Sequence, residues 1–158
     1  MTGSATEARA YALKLLQYRN RSEQELRNRL RKKGFRTEDI EETLRSLGAS
    51  GFVDDRVVAE NLKRQAVTDK HMGFQGARRF MQQRGIPRDL IDGMLIYDEK
   101  TELRHARILI DKKQKSSEKY PEPKRTRRLI GFLMRKGYSP QVIRKALKDR
   151  SVDEELEP

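Results

Sequence analysis

The chain has 158 residues, with 36 Lys and Arg against 24 Asp and Glu, a net charge of +12 and a sequence pI near 10.1. It contains no cysteine and two histidines, which excludes disulfides, thiolate chemistry and a histidine-built metal site. The first residues lack a basic segment followed by an apolar one and no apolar run reaches membrane-spanning length, so a cytoplasmic protein with a densely anionic partner, nucleic acid or an acidic protein groove, is expected.

Hydrophobic residues make up 35% and charged residues 38%, a polar chain whose apolar positions are nonetheless patterned. Apolar spacing, capping signals and breakers predict helices over 5–18, 22–33, 37–47, 54–69, 74–84, 87–97, 99–114, 124–136 and 139–149. No segment alternates as a strand would. The expected fold is all-α. In the first helical pair, Ser22 and Glu25 form a capping-box pattern, and Leu26 and Leu30 make an apolar stripe. Gly34 stands where a left-handed residue would end that helix, and Phe35 can fold back onto it. The next helix opens at Thr37 and buries Ile40, Leu44 and Leu47. Further along, Pro87 and the pair Ser139–Pro140 are helix-start signals. The polar, proline-bearing stretch Lys113 to Pro123 reads as a mobile loop.

These elements repeat. Gly34, Gly85 and Gly137 are 51 and 52 residues apart, and the same residue types recur around them. Leu30, Met81 and Leu133 precede each glycine by four positions, Lys33, Arg84 and Lys136 by one; Phe35, Ile86 and Tyr138 follow it. Ile40, Ile91 and Ile143 lie six positions on, and Leu44, Leu95 and Leu147 ten. We read three tandem three-helix repeats over 1–50, 51–98 and 99–150, followed by an acidic, disordered tail over 151–158. Units in series of this kind are expected to make an elongated, curved monomer.

Charge separates the repeats. Residues 1–50 carry 11 basic and 7 acidic side chains, residues 51–98 carry 8 and 7, and residues 99–150 carry 17 and 6, while the last eight residues add four acids. An excess of +11 in the third repeat repels itself unless a partner neutralises it. Helical projection turns Arg27, Arg31 and Lys32 away from the first core, and Lys124, Arg127, Arg128 and Arg135 away from the third. A plainly solvated face is the alternative for any one of them.

Other motifs are weaker. Asp54 and Asp55 suit helix capping better than metal binding, since no histidine or further acid clusters beside them. The letters Gly73 to Gly76 match the GXXG loop of KH domains, but that module needs a sheet. His71 and His105 are isolated in sequence and read as structural or exposed. Tyr11, Tyr18, Phe35, Phe80 and Phe132 fall at core spacing, whereas Tyr120, in the polar stretch, is the aromatic available for stacking or groove insertion.

The segments Arg19 to Leu26, Gly51 to Glu60, Met72 to Ile86 and Leu133 to Leu147 resemble, in order and spacing, the signature segments of the RecX family, regulators of the RecA recombinase. Val58 departs from the pattern where the family more often has an aromatic residue. The resemblance implies a non-enzymatic, cofactor-free modular protein that lies in the groove or at the end of the RecA filament on single-stranded DNA. It further implies inhibition of filament extension, ATP hydrolysis and strand exchange. On that basis the candidate contacts with RecA or with single- or double-stranded DNA are Arg27, Arg31, Lys32, Arg79, Lys124, Arg127, Arg128, Arg135, Lys136, Arg144 and Lys148. Phe52, Asp54, Asp55, Gly34, Gly85 and Gly137 are the candidate inter-module residues. A general helical-repeat DNA binder that acts by occupying DNA is the alternative.

Overall fold

A computed structural model describes the backbone of residues 3–156 and the side chains of 3–149. Among the described residues the fold is all-α. Helices α1 (Ala5–Tyr18), α2 (Glu23–Lys33) and α3 (Thr37–Ala49) form the first repeat, and α4 (Asp55–Arg64), α5 (Phe74–Gln83) and α6 (Arg88–Met94) the second. The third comprises α7 (Glu99–Ser117), α8 (Lys124–Arg135) and α9 (Pro140–Leu156). One π-helical turn, Gln65–Asp69, extends α4 within the span expected to be a single helix.

Each repeat closes its second helix in the same way. The N–H groups of Phe35, Ile86 and Tyr138 donate to the carbonyls of Leu30, Met81 and Leu133 at 3.1–3.2 Å. Gly34, Gly85 and Gly137 donate to Arg31, Gln82 and Met134 at 2.9–3.0 Å. This is the paired hydrogen-bond pattern of a Schellman end, which needs a left-handed residue, and the three glycines have φ of 102°, 81° and 92°. The periodicity of the sequence is therefore a periodicity of helix ends.

The chain divides into two compact units. The first contains Met1–Leu62 and Met81–Asp92. Its core is Ala8, Ala12, Leu26, Leu30, Ile40, Leu44, Leu47 and Val53, with Tyr11 and Phe35 packed against it. The second contains Lys63–Phe80 and Gly93–Pro158, around Ala106, Leu109, Ile110, Leu133, Tyr138, Val142, Ile143 and Ala146. The middle repeat is thus shared out: the first part of α4, the end of α5 and most of α6 belong to the first unit, and the body of α5 belongs to the second.

Within the first unit, Ser22 caps α2 by accepting the Glu25 N–H at 3.1 Å and donates its own hydroxyl proton to the Arg84 carbonyl at 2.6 Å. The Glu25 carboxylate does not reach back to the cap as a capping box would have it. It is drawn to Arg19 and Arg21, two stronger, charged donors. Asp54 caps α4, accepting the Arg56 N–H at 3.0 Å, while Asp55 accepts the Glu23 N–H at 2.8 Å and so ties α4 to the start of α2. Phe52, expected to be an inter-module residue, is 54% exposed; its backbone N–H, bonded to the Leu47 carbonyl, and not its ring, helps close α3.

Two further differences lie in the third repeat. Helix α7 continues to Ser117, so the connection to α8 is residues 118–123 and not the longer loop expected from Lys113. The Lys- and Gln-rich segment favours helix, and the breakers begin only at Pro121. Helix α9 runs on to Leu156, through most of the tail expected to be disordered; residues 157–158 fall outside the described residues.

The glycines of the Gly73–Gly76 segment have a packing role in the second unit. Gly73 donates its N–H to the Lys136 carbonyl at 2.9 Å. A Cβ on Gly76 would stand 2.1 Å from that carbonyl oxygen, and one on Gly137 would stand 2.0 Å from the Gly76 nitrogen. Backbone meets backbone here, and only hydrogen fits.

Candidate interface for an anionic partner

The candidate cations meet different fates. Arg27 is held inside the first unit: its guanidinium bonds Glu41 at 2.7 Å and Glu23 at 2.9 Å, and its side chain is 20% exposed. The hydrogen bond from Arg27, followed by its charge, lowers the Glu41 pKa. Projection placed Arg27 on the outer face correctly for α2 alone, but α3 crosses that face. Arg31 and Lys32, one turn further on, are exposed. Arg79 on α5 and Arg144 and Lys148 on α9 are exposed as well.

In the third repeat the cations gather. Lys124, Arg127, Arg128 and Arg135 are all exposed on α8. Its first turn carries no acid and its cap position, Pro123, provides no side-chain bond. Basic residues at a helix N-terminus oppose the helix dipole, so this arrangement works against the stability of α8. The equivalent start of α2 carries Glu23 and Glu25 behind a serine cap. The third repeat gives up a local stabilisation that the first one uses.

A cleft of about 410 Å³ lies between the end of α7, the 118–123 connection and α8. Lys113, Lys119, Arg127, Arg128 and Arg135 line it together with the rings of Tyr120 and Phe132. Three cations surround Tyr120: the Arg128 guanidinium 4.2 Å from the ring centre, Lys124 at 5.1 Å and Lys119 at 5.2 Å. Phe132 has Lys113 at 4.7 Å and Lys136 at 5.9 Å. Of the two aromatics, sequence spacing assigned Phe132 to the core; it is half-buried and also faces the cleft.

Arg125 was not among the expected residues and organises the connection. Its Nε donates to the Tyr120 carbonyl at 3.2 Å and its Nη2 to the Glu118 carbonyl at 3.4 Å. Its place inside the basic run Lys124 to Arg128 hid a bracing role behind an apparently solvated charge. Lys136 is half-buried and donates to the Lys70 carbonyl at 3.2 Å. Desolvation, then Lys70 and Lys113, lower its pKa. That ammonium is partly committed within the unit.

Another concavity, about 470 Å³ in the first unit, mixes signs: Glu23 and Asp55 line it together with Arg27 and Arg88. It offers no unipolar field. Elsewhere in the second unit, His71 and His105 are not isolated in space, their rings meeting edge to face at 5.4 Å. Desolvation is the first cause lowering both pKa values. Near them the Glu102 carboxylate accepts the Phe74 N–H at 2.8 Å, and burial raises its pKa to about 7. These groups hold the start of α5 and the Tyr138 hydroxyl, which donates to the His71 carbonyl. Among the described residues no cluster of acids and histidines is placed to hold a metal ion, and no helix is long and apolar enough to cross a membrane.

Comparison with known proteins is consistent along the chain. The family model for the first three-helix domain of RecX matches residues 8–47, and that for the third three-helix domain matches residues 100–147. The regulatory protein RecX of Chlorobaculum tepidum is 32% identical over 146 residues, which cover 92% of this chain and 89% of that protein. The RecX of Thermobifida fusca is 35% identical over 158 residues, covering 95% and 79%. The crystal structure of RecX from Lactobacillus salivarius shares the fold with a TM-score of 0.75 at 19% identity, over 94% of this chain and 97% of that one. A second RecX crystal structure matches with a TM-score of 0.77 at 23% identity, over 91% and 73%. The chain belongs to the RecX family, regulators of the RecA recombinase.

Proposed function

We propose that this protein binds the RecA–single-stranded-DNA filament, in its groove or at its end, chiefly through the basic surface of the third repeat. Bound there, it impedes filament extension, ATP hydrolysis and strand exchange in the cytoplasm, acting as a monomer. The observation that carries this reading is the exposed cation row of α8, where Lys124, Arg127 and Arg128 stand at or near a helix start that would be more stable with acids and Arg135 adds a further exposed charge in the last turn. Arg31 and Lys32 of the first repeat, Arg79 of the second, and Arg144 and Lys148 of the third add exposed positive charge. Weak contacts from several repeats on one chain reinforce one another through effective concentration.

The test is the single-stranded-DNA-dependent ATPase of the cognate RecA, titrated with this protein far below one copy per RecA subunit. Inhibition at that ratio with DNA in excess supports filament capping or locking, because masking DNA cannot reach so far. Inhibition only near DNA saturation favours the second reading, a basic DNA binder that acts by occupancy. That reading has its own support in the aromatic residues set among the cations of the third repeat.

A further inference from the structure

We propose that the cleft beside Tyr120 is a site for single-stranded nucleic acid, with an unpaired base stacking on the Tyr120–Arg128 pair and phosphates lying on Lys113, Arg127 and Arg135. The proposal deepens the assignment of the third repeat as the contact surface, but it concerns DNA held directly by this chain and does not require RecA.

Charge and shape point the same way. The cleft, at about 410 Å³, has the size of a small-ligand site, and no carboxylate lines it. Lys119, Lys124 and Arg128 all approach one phenol ring. The ring attracts each cation, yet the cations repel one another, and a phosphate would relieve that repulsion. A planar guanidinium 4.2 Å from the ring centre is also a stacking surface in its own right, so a base can lie on it or take its place against the tyrosine.

The aromatic is held in place before any ligand arrives. The Tyr120 N–H donates to the Ser117 carbonyl at 3.0 Å, and Arg125 grips the carbonyls on either side of Lys119. Preorganisation of this kind lowers the entropy cost of stacking. Phe132 supplies a second ring at the cleft wall. An acidic protein segment would use the cations but gain little from two rings, and a duplex keeps its bases stacked inside, away from them. Single strands offer both a charged backbone and free base faces.

The experiment uses the purified full-length protein without RecA, and fluorescence anisotropy of a labelled short oligothymidylate, an abasic oligomer of equal length and polyglutamate. Tyr120→Ala should weaken oligothymidylate binding about tenfold and leave abasic binding unchanged, while Tyr120→Phe restores the wild-type value. Equal affinity of the wild type for base-bearing and abasic strands, or an equal loss for both in Tyr120→Ala, would overturn the site. Polyglutamate displacing oligothymidylate at matched charge would assign the cleft to an acidic protein instead. Circular dichroism of each variant separates these results from unfolding. Failure here leaves the ATPase test untouched, whereas stacking observed without ATPase inhibition would remove the filament reading alone.

Discussion

The first and third repeats share one scaffold and use charge in opposite ways. Aligned on their glycines, Ser22, Glu23, Gln24 and Glu25 of α2 correspond to Arg125, Thr126, Arg127 and Arg128 of α8. The first repeat closes its charges on itself: Ser22 caps, Glu25 takes Arg19 and Arg21, and Arg27 bridges Glu23 and Glu41. The third has no acid in the first turn of α8 and leaves the cations exposed around two rings. The lesson is that net charge locates the basic repeat, but partner geometry decides which cations are available. Arg27 and Arg128 are both arginines on second helices, and only Arg128 faces a cleft without acids.

The glycines provide the sharpest contrast. Gly34 and Gly137 are both left-handed, but a Cβ on Gly34 meets nothing within 4 Å, whereas one on Gly137 collides with the Gly76 backbone. Gly34→Ala should therefore cost about 1–2 kcal/mol from backbone strain alone. Gly137→Ala should cost more, by about 1–3 kcal/mol of overpacking on top of that strain, with urea denaturation reading both. Equal losses would mean that the close approach of α5 to the α8–α9 turn is not tight.

Reversing charge should then separate the repeats functionally. Arg127→Glu, Arg128→Glu and Arg135→Glu together are expected to weaken filament binding at least tenfold, that is by about 1.4 kcal/mol or more, with helicity retained. The matching change in the first repeat, Arg31→Glu with Lys32→Glu, should have a smaller effect. Breaking the internal pair should do the reverse. Arg27→Ala is expected to destabilise the first unit by about 1 kcal/mol or less and leave binding near wild type, measured by denaturation and by anisotropy.

A separate effect concerns pH. The folded pKa of Glu102 is about 7, above its ordinary 4.5, because burial disfavours the carboxylate. The folded state therefore holds that proton more tightly, and this contribution to stability is present at low pH and lost as pH rises through about 7. His71 and His105, whose pKa values are lowered by burial, act in the opposite sense, losing stability as pH falls below 6.5. Glu102→Gln keeps an acceptor for Phe74 and should raise stability relative to wild type more at pH 8 than at pH 5. A pH-independent difference would show that the carboxyl is well solvated.

Much of this was legible in the sequence because the cues were local. The Schellman ends need glycine and flanking apolar residues at fixed offsets, and those offsets set the repeat and the helix boundaries to within a few residues, save at the end of α9. What stayed hidden depends on distant partners. Glu41 lies 14 residues from Arg27, Arg84 lies 62 from Ser22 and His71 lies 67 from Tyr138, separations that no helical projection can see. The division of the middle repeat between two units is of the same kind. Its helices match the pattern of their neighbours, yet α5 begins in one unit and ends in the other. The basic third repeat was legible from charge counting, but the cleft needed the true end of α7 and the bracing by Arg125.

The central claim is that the third repeat carries the filament contact. The most direct measurement compares binding to preformed RecA–single-stranded-DNA filaments by the wild type, by the α8 triple reversal and by the Arg31→Glu, Lys32→Glu pair, all at one fixed ionic strength. The triple variant is expected to lose at least tenfold in affinity and the first-repeat pair to lose less. Equal losses, or a triple variant that binds as the wild type does, would contradict it.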